Sequence, residues 1–248
     1  MRRSSAARRE QGLLIAEGLH VAREALHAGC EIEGAVYDVR LSASEEGAGL
    51  LAVLADSSVP CYEVAASVMD GLQDARSPQP ILLLVRTRPF SGRPWRSKRD
   101  PLILVCDGIQ DPGNLGAIVR TADAAGAAGL ILTGCGVDAY HPRSVRGSMG
   151  SIFRLPLARM DSAAATRRLR DEALTLIGTR VAGGEDYRDV PMDGPCALFF
   201  GNEGAGLDDA FLGTLDRTVT IPLEDGVESL SIGAAVAAVL FEARRQRR

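Results

Sequence analysis

From Asp100 onward, five short apolar runs alternate with helix-like segments: Leu102–Cys106, Gly129–Thr133, Leu174–Gly178, Ala197–Phe200 and Arg217–Ile221. Runs this short, bounded by polar turns, have the length of buried strands, and strands separated by helices pair in parallel because each crossover returns the chain to the same edge. The expectation is an α/β fold whose parallel sheet is covered by helices on both faces. The preceding region repeats the alternation on a smaller scale. Leu19–Ala28 and Gly49–Ala55 read as helical, and Ala35–Val39, Pro60–Val64 and Ile81–Val85 as strands, which makes a small α/β domain over residues 10–85.

With 46 % hydrophobic and 24 % charged residues in 248, the chain has enough apolar material for real cores, which excludes disorder. No apolar run reaches the roughly 20 residues of a helical membrane span; the longest are Ile81–Val85, Leu102–Cys106 and Ile232–Phe241. Arg2, Arg3, Arg8 and Arg9 resemble the start of an export signal, but the apolar stretch behind them is only Leu13–Ala16 and stops at Glu17, so a cytoplasmic protein is expected. Five scattered cysteines offer neither a disulfide framework nor a paired metal motif, in keeping with a reducing compartment. His20 and His27 lie seven apart on one helical face with no third ligand, so no metal site is expected, and His141 before Pro142 reads as a loop residue.

Charge is unevenly placed around a net value of −4. Residues 10–85 carry twelve acids against Arg23, Arg40 and Arg76, whereas 86–99 carry six positive charges, no acid, two prolines and the single tryptophan. Proline and glycine keep that stretch out of its neighbours' secondary structure, so it reads as a basic linker. Its Arg86, Arg88, Arg93 and Arg96 either grip phosphates or are simply solvated. The domain plan is a basic tail over 1–9, the small domain over 10–85, the linker over 86–99 and the larger domain over 100–248.

Three segments carry chemistry. In Asp107-Gly-Ile-Gln-Asp-Pro-Gly-Asn-Leu-Gly-Ala-Ile-Val-Arg120, a strand runs into a turn where Asn114 is suited to cap the following helix. Ile118, Ala122 and Ala125 face the sheet, and Asn114 with Arg120 forms a polar cluster at the carboxyl end of a strand, where open α/β sheets bind ligands. A well-made turn and a surface arginine explain the same residues. In Leu198-Phe-Phe-Gly-Asn-Glu-Gly-Ala-Gly-Leu207, a strand empties into a glycine loop holding Glu203, and Gly201, Gly204 and Gly206 permit close approach to the backbone. The GxGxxG order of a dinucleotide loop is absent, which removes the basis for a nicotinamide oxidoreductase. In the third segment, from Ile221, Ser229 or Ser231 caps a helix lined by Gly233, Ala234, Ala235, Ala237 and Ala238.

In this order and spacing, the three segments resemble the signature motifs of the SpoU-type (TrmH-like) RNA ribose 2′-O-methyltransferases, a branch of the SPOUT superfamily. The resemblance covers Leu102 to Glu242. It extends to His141-Pro-Arg-Ser-Val-Arg-Gly-Ser-Met-Gly-Ser-Ile-Phe153, with Arg146, Ser148 and Gly150 in the places usual for the family. It also reaches Glu17-Gly-Leu-His and Ser77-Pro-Gln-Pro-Ile-Leu, which are similar to the marks of the family's small substrate-binding domain, itself like RNA-binding ribosomal proteins. The resemblance implies a C-terminal domain with a deep trefoil knot where alternation alone suggests a doubly wound sheet. It implies a homodimer, and S-adenosylmethionine held around Gly201, Ile221 and Leu230 with Thr179 and Ser231 nearby.

It further implies that Arg120 is the leading catalytic residue, with Asn114, Glu203 and Ser229 beside it, and that structured RNA, ribosomal before transfer RNA, is the substrate. Arg86, Arg88, Arg93, Arg96, Arg143 and Arg146 are then the RNA-binding candidates. One departure stands out: the family's third motif usually reads Ser-Leu-Asn, whereas this chain has Ser229-Leu-Ser231. A non-catalytic RNA-binding protein on the same scaffold is the alternative that this departure raises.

Overall fold

Leu13–Glu17, read from sequence only as a short apolar stretch, folds as a strand within the first of two compact units. The structure, a computed structural model, describes residues 4–73, 78–87 and 99–248. One unit gathers the described residues up to Thr87 together with Asp138–Arg154, and the other gathers those of 99–137 with Leu155–Arg248. No helix among the described residues is long and apolar enough to cross a membrane.

The first unit begins with α1 (Ser5–Gln11) and β1 (Leu13–Glu17), followed by α2 (Leu19–His27), β2 (Ile32–Tyr37), α3 (Val39–Ser42), α4 (Glu45–Asp56), β3 (Cys61–Glu63), α5 (Ala66–Gly71) and β4 (Ile81–Arg86). Its sheet runs β1-β4-β2-β3, with β4 antiparallel to both neighbours and β3 parallel to β2. Local signals set the boundaries. Ser4 accepts the N–H of Ala7 to start α1, and Gly12 at φ 63° ends it. Ser44 caps α4, whose first turn carries Glu45 and Glu46 against the positive end of the helix dipole. Val21, Ala22 and Ala25 form the buried face of α2.

The second unit starts with β5 (Leu102–Asp107), α6 (Pro112–Ala125) and β6 (Gly129–Thr133). The chain then contributes α7 (Pro142–Gly147) to the first unit, where α7 packs on β1. Three ion pairs fasten this excursion: Asp138 to the buried Arg8 at 2.8 Å, Arg146 to the buried Glu17 at 3.1 Å, and Arg154 to Glu24. Arg8, read from sequence as part of a basic tail, is thus only 3 % exposed.

Back in the second unit come β7 (Leu157–Arg159), α8 (Ser162–Asp171), β8 (Thr175–Thr179), β9 (Glu185–Asp186), β10 (Cys196–Phe200), α9 (Asp209–Leu212), β11 (Arg217–Thr220) and α10 (Ile232–Gln246). Its seven strands lie in the order β7-β6-β5-β10-β8-β11-β9, all parallel. β10 enters between β5 and β8, and β11 between β8 and β9, so late strands fill gaps left by earlier ones. Every residue of β6 and β10 is buried, as expected of strands covered on both faces. Ile103, Val105, Leu176 and Phe199 pack with Ala165 and Leu169 of α8, and α6 packs against α10.

In the first unit, the fully buried Asp38 carboxylate accepts bonds from the backbone N–H and guanidinium of Arg40, which also reaches Asp70 at 2.8 Å. The Arg40 bonds hold the Asp38 carboxyl below its usual range. A folded-state pKa below the unfolded value near ~3.9 contributes stability above that pH, and the contribution is lost as pH falls through the folded value. Thermal melts of Asp38→Asn, which keeps a capping side chain, should therefore lose less stability than wild type between about pH 4 and about pH 2.5. Superimposable acid limbs would contradict this.

Candidate active site

Because β5, β10, β8 and β11 run parallel, their carboxyl ends lie at one edge of the sheet, and loops distant in sequence leave from there side by side. Around the ends of β8, β10 and β11 lies a cavity of about 630 Å3, within the size range of small-molecule sites. Its walls are Thr179–Ala182, the loop from Phe200 to Asp209, Ile221, Leu223, Ser229 and Leu230, and α10 contributes Ile232, Ala235 and Val239.

The 201–206 loop is shaped by its own residues. Asn202 Oδ1 accepts the N–H groups of Gly204 (2.9 Å) and Ala205 (2.7 Å), and Gly206 N donates to Asn202 O at 3.1 Å. This turn folds back so tightly that a Cβ on Gly201 would lie 1.9 Å from the Gly206 carbonyl carbon, so only glycine is accommodated there. Thr179 Oγ1 donates to Phe199 O at 2.9 Å and ties the end of β8 to β10.

Asn114 does not cap its helix as the sequence suggested. Asp111 does, accepting the Asn114 N–H at 2.9 Å, because Pro112 fits the first helical turn and starts α6 earlier. The Asn114 side chain is thereby free to donate to Glu203 Oε1 at 3.0 Å, which joins the first motif to the cavity loop. Arg120 lies six residues further, about 120° around the helix from Asn114, exposed and hydrogen-bonded to neither Asn114 nor Glu203. Among the described residues its guanidinium has no ion-pair or hydrogen-bond partner.

Thr179, Gly201, Glu203, Ile221, Ser229 and Leu230 therefore converge on one cavity, while Ser231 is the N-cap of α10, accepting the Ala234 N–H. Sequence reasoning missed Arg180, Val181 and Ala182 in the wall; the Gly183-Gly184 turn after a strand end was the available signal. Arg180 pairs with Asp209 at 3.4 Å. Burial pushes the Cys106 thiol well up, reinforced by the Glu203 and Asp107 carboxylates, so it is no nucleophile.

Of the basic residues, Arg143 is exposed at the start of α7, where His141 Nδ1 accepts its N–H as N-cap. Arg86 is bonded to Glu31 and Glu33, and Arg146 to Glu17. Arg88, Arg93 and Arg96 lie outside the described residues. Among the described residues no group of three or more His, Cys, Asp or Glu side chains is arranged to hold a metal ion.

Residues 101–241 match the SpoU rRNA Methylase family model, and residues 3–83 match the MRM3-like substrate binding domain. The chain is 31 % identical over 189 residues to a 23S rRNA (guanosine(2553)-2′-O)-methyltransferase of Bacillus subtilis, covering 76 % of this chain and 74 % of that protein. It is 41 % identical over 156 residues to a 23S rRNA (uridine(2479)-2′-O)-methyltransferase of Streptomyces viridochromogenes, covering 60 % and 54 %. The crystal structure of the SpoU methyltransferase AviRb from Streptomyces viridochromogenes, in complex with the cofactor AdoMet, matches with a TM-score of 0.87 at 31 % identity, over 99 % of this chain and 94 % of that one. Sequence and fold agree on the class, an RNA methyltransferase. Within that class, the chain belongs to the SpoU rRNA methylase family.

Gly201→Ala should weaken S-adenosylmethionine binding at least about tenfold, since the 201–206 turn must open to admit the methyl group. Titration calorimetry giving an unchanged affinity would contradict this reading of the loop.

Proposed function

We propose that this protein methylates a ribose 2′-hydroxyl in ribosomal RNA, using S-adenosylmethionine bound in the cavity at the carboxyl ends of β8, β10 and β11. The observation that carries the proposal is the Asn114–Glu203 hydrogen bond, which joins the first turn of α6 to the wall of that cavity. The cavity suits the cofactor: Val219, Ile221, Leu223, Leu230 and Ile232 give it apolar surface, and the turn at Gly201 exposes backbone polar groups. Gly201, Ile221 and Leu230 would hold it, with Thr179 and Ser231 nearby. When bound, it would supply an electrophilic methyl group for the 2′-oxygen, with the neutral thioether as leaving group and the hydroxyl proton passing to water.

The protein's own work is positioning and charge stabilisation. A guanidinium hardly ever deprotonates, so Arg120 is assigned to anchor an RNA phosphate and to stabilise negative charge developing on the 2′-oxygen. An exposed arginine with no carboxylate partner has its full charge available for this. Asn114 and Glu203 hold the two loops in register, and Ser229 offers a hydroxyl at the cavity wall. Ser231 in place of asparagine is compatible with activity, because both residues are good N-caps and capping α10 is what Ser231 does here.

RNA is assigned to Arg143, to the linker arginines Arg88, Arg93 and Arg96, and more weakly to Arg86 and Arg146, whose charges already have carboxylate partners. The homodimer and the knotted chain path implied by the family resemblance belong to the same proposal. Supporting the dimer, α10 turns small residues outward: a Cβ on Gly233 would meet nothing within 4 Å, and Phe241 is 47 % exposed.

The test is incubation with labelled S-adenosylmethionine and unmodified ribosomal RNA, followed by digestion to nucleosides. Label should appear in a 2′-O-methylnucleoside, and Arg120→Ala should lower the rate by about 100-fold or more with cofactor affinity kept. Absence of label with both ligands bound would overturn the catalytic reading in favour of an RNA-binding scaffold. RNA affinity should also fall steeply with salt, and a flat dependence would remove the arginine assignment.

A further inference from the structure

Asn114 is only as well placed as the first turn of α6 that carries it, and the loop that leads into that turn, Gly108–Asp111, is held by a second loop, 134–137, that follows β6. Gly108 N donates to Thr133 O at 3.0 Å and Val137 N to Ile109 O at 2.8 Å. Contact is so close at Gly136 that a Cβ there would lie 2.6 Å from Ile109 O. Side chains complete the clamp. Gln110 Nε2 donates to both Gly108 O (2.9 Å) and Cys135 O (2.8 Å), bridging the two loops with one amide. From the other side, Arg159 donates to Gly134 O (3.1 Å) and Val137 O (2.5 Å), and the Asp107 carboxylate accepts the hydroxyls of Thr133 (2.6 Å) and Ser162 (3.1 Å).

We infer that Gln110 is a positioning residue for methyl transfer: its amide locks the 134–137 loop onto the loop before α6 and so presents Asn114 to Glu203. The inference rests on the proposed role of Asn114. Gln110 is exposed and touches none of the cavity-lining residues through these bonds, so its contribution is to the geometry of the loop rather than to cofactor contact. An amide is needed because both partners are carbonyl oxygens, each of which requires a donor. Directly beyond Val137 comes Asp138, which is ion-paired to Arg8, so the clamp stands where the chain passes from the second unit into the first.

Gln110→Glu keeps the shape and removes both donors, setting a carboxylate against two carbonyls. Steady-state methylation of unmodified ribosomal RNA, calorimetric binding of S-adenosylmethionine and thermal melting are measured for this variant, for wild type and for Asn114→Ala. The expected result is a kcat at least about tenfold lower with cofactor Kd within about twofold and an unchanged melting temperature. The ratio of variant to wild-type kcat should rise as pH falls from about 8 to about 5.5, as the new carboxyl regains a proton to donate.

Wild-type kcat in Gln110→Glu, or a loss matched by equally weakened cofactor binding or by a lowered melting temperature, overturns the inference. If Asn114→Ala is itself fully active, the reading of Asn114 falls and the inference falls with it. An inactive Asn114→Ala beside a wild-type Gln110→Glu overturns the positioning role alone.

Discussion

Parallel pairing of β10 between β5 and β8 is the constraint on which the rest of the second unit depends. It aligns Phe200 with Cys106 through the β5 register and Phe199 with Gly178 through the β8 register, so loops that leave the chain after Asp107, Thr179 and Phe200 depart from the sheet as neighbours. Buried apolar strands drive that pairing, since each must be covered on both faces. The polar and glycine-rich residues that cannot join a core then collect at one edge, and there the cavity forms. Gly178 shows how closely the layers fit: a Cβ on it would lie 2.6 Å from Leu212 and 2.7 Å from Leu215.

At that edge, chemistry is arranged chiefly by turn geometry. Asn202 closes the 201–206 turn on itself, Asp111 starts α6 and releases the Asn114 side chain, and Ser231 starts α10 beside the cavity. One hydrogen bond, from Asn114 to Glu203, connects α6, which bears Arg120, to the 201–206 loop in the cavity wall. Elsewhere most arginines are spent on carboxylates or on carbonyls, as Arg159, Arg170, Arg244 and Arg247 are. Arg120, exposed and without a hydrogen-bond or ion-pair partner among the described residues, keeps its charge available, as Arg9, Arg167 and Arg248 do, and of these four it alone lies on the helix tied to the cavity loop through Asn114.

Much of this was legible in the residues. All five long strands expected after Asp100 are present within one or two residues, and six residues named for the site line or wall the same cavity. The strands not foreseen are β1 and the short β7 and β9; the last two have three and two residues, too few to show a period. Asn114 was misread as a cap because Asp111-Pro112 offered a competing cap three residues earlier. Least legible was the excursion through α7. Its anchors Arg8, Glu17 and Glu24 lie about 130 residues away in sequence, and no local pattern reveals that Arg146 meets a buried carboxylate instead of solvent. The glycine loop was read as permissive, whereas the structure makes Gly201 obligatory through a contact with Gly206 that only the folded turn creates.

In the proposed site, loops from the ends of β8, β10 and β11 form one cofactor pocket, and the Asn114–Glu203 bond links it to the helix bearing Arg120. Amide hydrogen exchange with and without S-adenosylmethionine tests this most directly. Added protection is expected in 179–182, 200–209 and 221–235, extending to the first turn of α6, with the first unit unchanged. Protection confined to the first unit, or absent from the 201–206 turn, would contradict it.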